Sequence, residues 1–439
     1  MTLPKLRGQQ VEAFNKIVKW LRGWDVKGKK RSTQVFKLFG YAGTGKTTMA
    51  SVVSDFVQNE YRGAMLFAAY TGKAAKVLRL KGCDDASTIH RLIYKPIIDE
   101  ATGLFVGKTI NRESPLATAR LLILDEVSQV NEEIRADLES FGVQILVLGD
   151  PFQLKPVEGT GAFTAEHPDY LLTEIHRQAK DSPIIWLATE IREGRRLKPG
   201  KYGDSRVFSH YVDLKDARLA WADQVIVGRN KTRDELNQHI RAMKGATEII
   251  PSRNGGLDPL FYPVIGDKLM CTRNNHDAGF MNGTIWFVTD VPIKQKHQII
   301  NPKYSAFLKQ HKFPPSHIPK FIMSKEEILS IPVRPEEDVE WLGFKGTRKA
   351  LRKSDSSKDL VTVVPPYLFN DRLPEPNYRD IAGSDSWCFG DTITCHKAQG
   401  SQWDKVLVID ESYYFRDQVA EHLYTSITRA AEIVVVKQT

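Results

Sequence analysis

One octapeptide constrains the fold of this 439-residue chain more than any other segment. Residues 40–47 read G-Y-A-G-T-G-K-T, which fits the pattern G-x-x-x-x-G-K-[ST]. The apolar segment 34–39 precedes them, and 47–60 follows with the i, i+3, i+4, i+7 spacing of an amphipathic helix. This order of strand, glycine-rich loop and helix predicts an α/β sheet whose loop presents backbone N–H groups to a phosphate.

Further apolar segments extend this pattern along the chain. In the first half, 64–70, 120–124 and 144–148 each end in polar or glycine-rich sequence, which predicts buried parallel strands. Near the C-terminus the pattern predicts strands at 224–227, 405–409 and 433–436, with helices at 232–243 and 419–428. Strands that alternate with helices indicate an α/β fold, here with two such domains.

Two segments interrupt this alternation. Residues 94–115 divide the first domain and contain turn signals, and they are too few to fold alone. Residues 266–386 begin with a strand-like run at 284–291 and continue with sequence rich in Lys, Pro and Glu. We interpret the longer segment as a domain inserted into the second α/β domain.

The composition limits the classes of protein to consider. The formal net charge is +9, which agrees with an anionic polymer as partner without requiring one. The four cysteines form no C-x-x-C pair, so the sequence suggests neither a zinc ribbon nor a disulfide framework. No signal peptide and no run of about 18 apolar residues is evident, and we expect a cytoplasmic protein with no membrane partner.

The phosphate-binding loop has an acidic counterpart after the strand that ends at Leu124. Lys46 would contact the β- and γ-phosphates, and Thr47 would offer its hydroxyl to Mg²⁺. Asp125 would hold the same ion, and Glu126 would orient or deprotonate an attacking water. After an apolar strand this pair indicates a nucleotide site, whereas an Asp-Glu pair alone is usually a surface turn.

Three more polar residues are candidates for contact with a γ-phosphate. Gln153 follows the next strand and could report loss of that phosphate, although Gly149-Asp150-Pro151 also has the composition of a simple turn. Arg177 or Arg429 could stabilise charge on the transferring group from across a cleft. An isolated arginine, however, is most often a surface charge.

These motifs together resemble those of the superfamily 1 helicases, and in particular the Dda and RecD type of superfamily 1B. The matching positions occur in the family order and span almost the whole chain: Gln10, 40–48, 71–75, 88–91, 125–126, 149–153, 177–178, 394–401 and 424–429.

The resemblance implies two RecA-like domains, each carrying an insertion. Domain 1A would comprise 1–172, with an inserted pin region (1B) at 92–117. Domain 2A would comprise 173–265 and 386–439. An SH3-like domain 2B with an extended insertion would occupy 266–385.

The resemblance also implies the nucleotide contacts. Gln10 would recognise the adenine edge, although the doublet Gln9-Gln10 leaves an ambiguity of one residue. Arg177 and Arg429 would both contact the γ-phosphate. The remaining ATP-binding positions are Gly43, Thr44, Gly45, Lys46, Thr47, Thr48, Gly400 and Ser401.

The family pattern likewise assigns residues to a nucleic-acid strand, at Thr71, Lys73, His90, His396 and Lys397. Thr71 could instead be a helix cap, and His90 a core histidine. Phe105 occupies the place of a strand-separating pin, although its ring could simply cover the parent domain.

The expected function is therefore that of an ATP- and Mg²⁺-dependent DNA helicase that acts on single-stranded DNA and forked junctions. The group resemblance favours 5′ to 3′ movement, a phage or bacterial source, and single-strand-binding, replication or recombination proteins as partners. Two alternatives stay open at this stage. One is an ATPase subunit of a recombination nuclease complex, and the other is a non-motor ATP-dependent switch that binds nucleic acid.

Overall fold

The computed structural model of the chain divides into two compact units. One unit comprises 1–95, 110–230 and 393–439, and the other comprises 96–109 and 231–392. In the part of the chain that the structure describes, no helix is long and apolar enough to cross a membrane. The described residues are 6–23, 33–61, 64–80, 82–83, 85–98, 105–155, 161–164, 167–175, 181–214, 216–245, 262–272, 280, 282–300, 323–336, 339–345, 348–353, 359–364 and 386–439.

A parallel sheet forms the core of the N-terminal part. The strands described there are β1 Val35–Gly40, β2 Met65–Ala69, β3 Ser87–Thr88, β4 Tyr94–Ile98, β5 Phe105–Ile110, β6 Leu121–Asp125, β7 Gln144–Gly149 and β8 Tyr170–Leu172. Six of them form one sheet in the order β3-β2-β6-β7-β1-β8, and all its pairs are parallel. The remaining two, β4 and β5, pair with each other inside the predicted pin region.

Apolar side chains cover both faces of this sheet. The helices described around it are α1 Gln9–Arg22, α2 Lys46–Glu60, α3 Gly72–Leu80, α4 Ile89–Ile93 and α5 Glu132–Glu139. Leu38 belongs to a cluster with α1 and α2, whereas its neighbour Phe39 belongs to a cluster with α4 and α5. Successive strand residues point to opposite faces, which is why a sheet buried on both sides reads as a continuous apolar run.

The second half begins and ends with strands of another sheet. Its described strands are β9 Gly200–Tyr202, β10 Ser205–Phe208, β11 Gln224–Val227, β12 Lys268–Cys271, β13 Ile285–Val288, β14 Ile293–Ile300, β15 Met323–Pro335, β16 Val339–Lys345, β17 Arg348–Lys353, β18 Leu360–Val364, β19 Trp387–Phe389, β20 Thr392–Thr394, β21 Trp403–Asp410 and β22 Ala430–Gln438. Six form a sheet in the order β20-β11-β21-β22-β10-β9. Its central pairs β11–β21, β21–β22 and β22–β10 are parallel.

The described helices of this half complete the alternation. They are α6 Pro183–Arg192, α7 Asp216–Trp221, α8 Asn230–Met243, α9 Cys395–Ala398 and α10 Val419–Ile427. The predicted α/β class is confirmed. The closing strand is the main difference in extent, since β22 runs over nine residues against the four expected. Its flanks are less apolar than its centre, yet β22 is paired with both β10 and β21.

An antiparallel sheet lies inside the second unit, and all of its strands except β19 fall within the range predicted as an inserted domain. Its strand order is β14-β15-β13-β12-β19, and β18 also pairs with β15. The rings of Phe280, Trp286 and Trp387 pack edge to face in its core. The predicted SH3-like character, the extended insertion and the domain boundaries stay predictions, because much of 294–379 lies outside the described residues.

Candidate functional site

The loop between β1 and α2 requires glycine at several positions. Gly43 and Gly45 have φ values of 79° and 84°, a conformation that L side chains rarely adopt. A Cβ atom on Gly40 would lie 2.5 Å from the hydroxyl oxygen of Thr44. The sequence folds here as a tight turn, so its backbone groups are not screened by side chains.

Lys46, the first residue of α2, returns to this loop. Its Nζ donates to the carbonyl of Gly40 at 2.6 Å and to that of Tyr41 at 3.1 Å. The carbonyl of Thr44 accepts from the side-chain amide of Gln10 at 3.4 Å. The cation of Lys46 and the amide of Gln10 therefore both contact the same eight-residue loop. A cation suits a bound phosphate, and an amide can form hydrogen bonds with a polar base.

The structure separates the roles of the two adjacent glutamines. Gln9 Oε1 accepts from the backbone N–H groups of Thr173 and Glu174 at 2.8 and 2.9 Å, and its Nε2 donates to Thr173 Oγ1. Gln10 is 4% exposed and contacts the phosphate-binding loop. Of the two, Gln10 is thus the one placed beside the loop.

The acidic pair sits where β6 ends, in a strained conformation. Glu126 has φ 54° and ψ 50°, and its N–H donates to Asp125 Oδ1 at 2.9 Å. A left-handed conformation costs a non-glycine residue roughly 1–2 kcal/mol. Strain of this kind is retained where the surroundings hold a side chain in a particular direction, and it concentrates at active sites.

A buried tyrosine of α10 joins two loops of the first sheet. The phenol of Tyr424 accepts from the N–H of Ala42 and donates to Asp150 Oδ2, both at 2.8 Å. Burial raises the pKa of Asp150. The nearby charge of Lys46 and the hydrogen bond from Tyr424 act in the opposite direction and lower this pKa, but burial is the larger effect. Burial also raises the pKa of Tyr424 well above its usual value, so the phenol keeps the proton that it donates. Sequence reasoning included both residues in motifs but gave neither a role.

The loop after β7 makes further bonds to the second half of the chain. Leu154 N–H donates to Thr425 Oγ1 at 2.8 Å, and Leu154 O accepts from Gln399 Nε2 at 2.7 Å. The neighbouring side chain of Gln153 is 7% exposed, and its Oε1 has no hydrogen-bond partner among the described residues. Gln153 thus keeps an unused polar atom next to a bonded junction.

Arg429, the residue that precedes β22, extends toward the acidic pair. Its Nη1 lies 3.9 Å from Glu126 Oε1 and donates to the carbonyl of Ser401 at 3.4 Å. Its Nε donates to the carbonyl of Thr425 at 3.1 Å, and the side chain is 7% exposed. The structure therefore brings Arg429 to the candidate site, whereas Arg177 lies outside the described residues.

A cavity of about 290 Å³ adjoins the phosphate-binding loop. Ala42 and Gly43 line one side, and Gln402, Thr428 and Ala430 line another. This volume approaches the lower end of the range for small-molecule pockets. Residues next to the first sheet and residues of the second half of the chain thus border one cavity.

Three of the residues predicted to bind a strand each make a contact of their own. Thr71 Oγ1 accepts from Ala74 N–H at 3.2 Å, the contact expected of a helix cap. Lys73 Nζ lies 3.9 Å from the ring centroid of Trp403. The half-buried ring of His90 lies between those of Tyr70 and Tyr94, at 5.8 and 5.6 Å.

The segment after β20 packs close to α3. Gly400 has φ 72°, and a Cβ atom there would lie 3.0 Å from Thr71 Oγ1. Ser401 is 4% exposed and binds Arg429 through its carbonyl. His396 lies in α9, where burial lowers its pKa and its ring is 5.8 Å from that of Phe415. This segment therefore links the arginine side of the site to α3.

Known proteins share this arrangement of segments. A family model described as AAA domain matches residues 28–208, and one described as UvrD-like helicase C-terminal domain matches 389–436. The "ATP-dependent DNA helicase dda" of Enterobacteria phage T4 is 31% identical over 267 residues, which cover 55% of this chain and 58% of that protein. In these regions the chain is similar to helicases of the Dda and RecD type.

Two further comparisons extend this similarity. The "ATP-dependent RecD2 DNA helicase" of Deinococcus radiodurans is 29% identical over 276 residues, which cover 57% of this chain and 35% of that protein. The crystal structure of Bacteroides Pif1 bound to ssDNA superposes with a TM-score of 0.50 at 17% identity, covering 99% of this chain and 92% of that one. The chain spans 58% and 35% of the lengths of the two curated relatives.

Proposed function

We propose that this chain is an ATP-dependent DNA helicase that moves along single-stranded DNA and separates duplexes at forked junctions. The observation that carries the proposal is the bonded junction of Ala42, Asp150 and Tyr424, next to the pair of Glu126 and Arg429. A nucleotide bound at this junction would touch both parallel sheets. The nucleotide would therefore bind more tightly when both sheets contact it than when only one does. Hydrolysis would remove this difference in affinity.

In this proposal the nucleotide lies along the phosphate-binding loop. Residues 43–48 bind its phosphates, Gln10 contacts the adenine edge, and Gly400 and Ser401 approach phosphate or ribose. The placement of Gln10 against the loop, with Gln9 bonded elsewhere, supports this assignment.

The donor set suits Mg²⁺ as cofactor. Thr47 and Asp125 would hold the ion through a hydroxyl and a carboxylate, the hard oxygen ligands that it prefers. The described residues contain no group of three or more metal-binding side chains, as fits an ion completed by water and phosphate oxygens. When bound, the ion would neutralise phosphate charge.

The residues of the chain then divide the work of hydrolysis. Lys46 binds the β- and γ-phosphates, Glu126 orients or deprotonates the attacking water, and Gln153 contacts the γ-phosphate. Arg429, together with Arg177, stabilises the charge that develops on the transferring group. The unpartnered Oε1 of Gln153 and the approach of Arg429 to Glu126 support these roles.

The strand would cross the faces formed by Thr71, Lys73, His90, His396 and Lys397. Phe105, the first residue of β5, would be the pin on which the last base pair is separated. The pairing of β4 with β5 supports a hairpin in the pin region, while the Phe105 side chain itself lies outside the described residues.

The deciding experiment is ATP-driven unwinding of duplexes that carry either a 5′ or a 3′ single-stranded tail. We expect strand separation only with the 5′ tail, and none by Lys46→Ala. Activity confined to the 3′ tail would reverse the proposed direction. ATPase stimulated by single-stranded DNA without any strand separation would replace the helicase with a non-motor switch. Unwinding that requires a co-purified nuclease chain would indicate a subunit of a nuclease complex.

A further inference from the structure

The segment between β21 and α10 exposes two adjacent tyrosine rings. Tyr413 is 56% exposed and Tyr414 is 48% exposed. Their ring centroids are 4.2 Å apart, with an angle of 34° between the planes. Aromatic rings held together in water form an apolar surface that a bound ligand can cover, and each ring offers a π-face for stacking.

An ion pair between the buried Glu411 and the partly exposed Arg229 contacts this surface. Glu411 is 2% exposed, and its Oε2 accepts from the N–H groups of Gly228 and Arg229, both at 3.0 Å. Its Oε1 binds the Arg229 guanidinium at 2.7 Å. The same guanidinium lies 4.3 Å from the ring centroid of Tyr414. The tyrosine surface is thus attached to the end of β11 through Arg229 and does not stand on a free loop.

The next residue turns inward and anchors the segment to two helices. Phe415 stacks on the buried His422 of α10, with centroids 3.9 Å apart and an angle of 25°. Its ring is also 5.8 Å from His396 of α9. The exposed tyrosines therefore adjoin the helix that carries His396 and Lys397, two of the predicted strand-binding residues.

Backbone strain marks the same segment. Arg416 has φ 49° and ψ −103°, and the only other non-glycine residue with positive φ among the described residues is Glu126. Residues in such conformations persist where neighbouring contacts determine them, and they concentrate at functional sites. The side chain of Arg416 is exposed, as is that of Lys155, whose N–H donates to Gln418 at 3.2 Å.

We propose that Tyr413 and Tyr414 form a platform, here called the tyrosine platform, on which bases of single-stranded nucleic acid stack. Arg416 and Lys155 would contact phosphates beside it, since they are exposed cations at the same segment. Stacking on aromatic rings tolerates any base, so the platform would hold the strand without reading its sequence. This proposal rests on the proposed function, because it extends the strand path from α9.

The test measures affinity for a fluorescent oligo-dT of about 12 nucleotides, within the site sizes known for aromatic strand-binding surfaces. The double variant Tyr413→Ala/Tyr414→Ala should raise the Kd at least about tenfold, since each lost stack weakens binding by about five- to 150-fold. Tyr413→Phe/Tyr414→Phe keeps both rings and should remain within about twofold of wild type. Tyr211→Ala removes an exposed tyrosine elsewhere and should leave the Kd unchanged.

A second ligand separates the contribution of the bases to binding from that of the phosphates. An oligomer of the same length with abasic sugars should bind wild type more weakly than oligo-dT does. The alanine pair should lose most of this difference between the two oligomers, because the variant lacks the rings on which bases stack. Arg416→Gln should instead reduce the dependence of the Kd on salt, because it removes a phosphate contact.

Three outcomes would overturn the tyrosine platform. The first is an unchanged Kd in the alanine pair, which would indicate that the exposed rings bind a protein partner and not nucleic acid. The second is an equal loss in the phenylalanine pair, and the third is an alanine pair that distinguishes oligo-dT from the abasic oligomer as strongly as wild type does. If wild type binds and unwinds DNA, these outcomes refute the platform alone. If wild type does not bind oligo-dT, the proposed function fails as well.

Discussion

The phenol of Tyr424 donates to Asp150 across 274 positions of sequence, at 2.8 Å. The same oxygen accepts from the N–H of Ala42 in the phosphate-binding loop. One side chain of α10 therefore satisfies a buried carboxylate and a backbone group of two separate loops.

Replacing Tyr424 with Phe should separate these contacts from the packing of the ring. The buried carboxyl of Asp150 and the part-buried N–H of Ala42 would lose a partner, and we expect the free energy of unfolding to fall by about 1–3 kcal/mol. ATP hydrolysis should fall as well, because the loop would lose its bond to α10. Urea unfolding and steady-state ATPase assays measure the two effects. Tyr202→Phe is the control, since it removes a phenol of β9 that donates to the carbonyl of Lys198. Equal stability and activity of Tyr424→Phe and wild type would contradict the prediction.

Arg429→Lys should preserve the positive charge and lose the planar guanidinium. We expect kcat for ATP hydrolysis to fall by about 10³-fold, the effect of removing an arginine that stabilises the transferring phosphoryl group. Affinity for a non-hydrolysable ATP analogue should change far less. Arg206→Lys, on the exposed side of β10, is the matched control and should behave as wild type. A loss of analogue affinity as large as the loss of kcat would show that Arg429 contributes to binding and not to the transition state.

His422 should make the protein sensitive to acid. Burial, together with the nearby His396, lowers the pKa of His422 from 6.5 to about 3 in the folded protein. As the pH falls, His422 is therefore protonated in the unfolded chain at a higher pH than in the folded protein. The stability that depends on a neutral His422 is complete above pH 6.5 and is lost as the pH falls toward 3. Burial lowers the pKa of His396 in the same direction.

Removing the imidazole should reduce this pH dependence. For His422→Leu, we expect the free energy of unfolding to change with pH less steeply below pH 6.5, by at most about 1.4 kcal/mol per pH unit for one proton. Urea unfolding at a series of pH values measures this slope. His210→Leu, which replaces an exposed histidine, serves as the control. An unaltered slope in His422→Leu would mean that other groups account for the acid sensitivity.

Phe105→Ala should affect unwinding more than ATP hydrolysis, because a pin acts on the duplex and not on the nucleotide. Unwinding of a 5′-tailed duplex and DNA-stimulated ATPase would be compared in one buffer. Phe105→Leu keeps an apolar side chain without a ring, so it distinguishes stacking from simple bulk. Equal losses in both assays would remove the pin from the proposal.

Local patterns were sufficient for much of the fold. The glycine spacing of the phosphate-binding loop and the apolar runs of β1, β6 and β7 were identifiable because each depends on residues next to one another in sequence. The third sheet was harder to foresee. Its strand β15 pairs with β13, β14 and β18, so its partners come from separate parts of the chain.

In the candidate site, too, some features follow from local sequence and others depend on the tertiary structure. By itself, the sequence determined that a phosphate-binding loop follows a buried strand and that an acidic pair ends another. Only the tertiary structure decided that Tyr424 bridges Ala42 and Asp150, that Gln10 rather than Gln9 meets the loop, and that Tyr413 and Tyr414 share one exposed surface. A hydrogen bond between residues 382 positions apart depends on the path of the whole chain, so no local pattern encodes it.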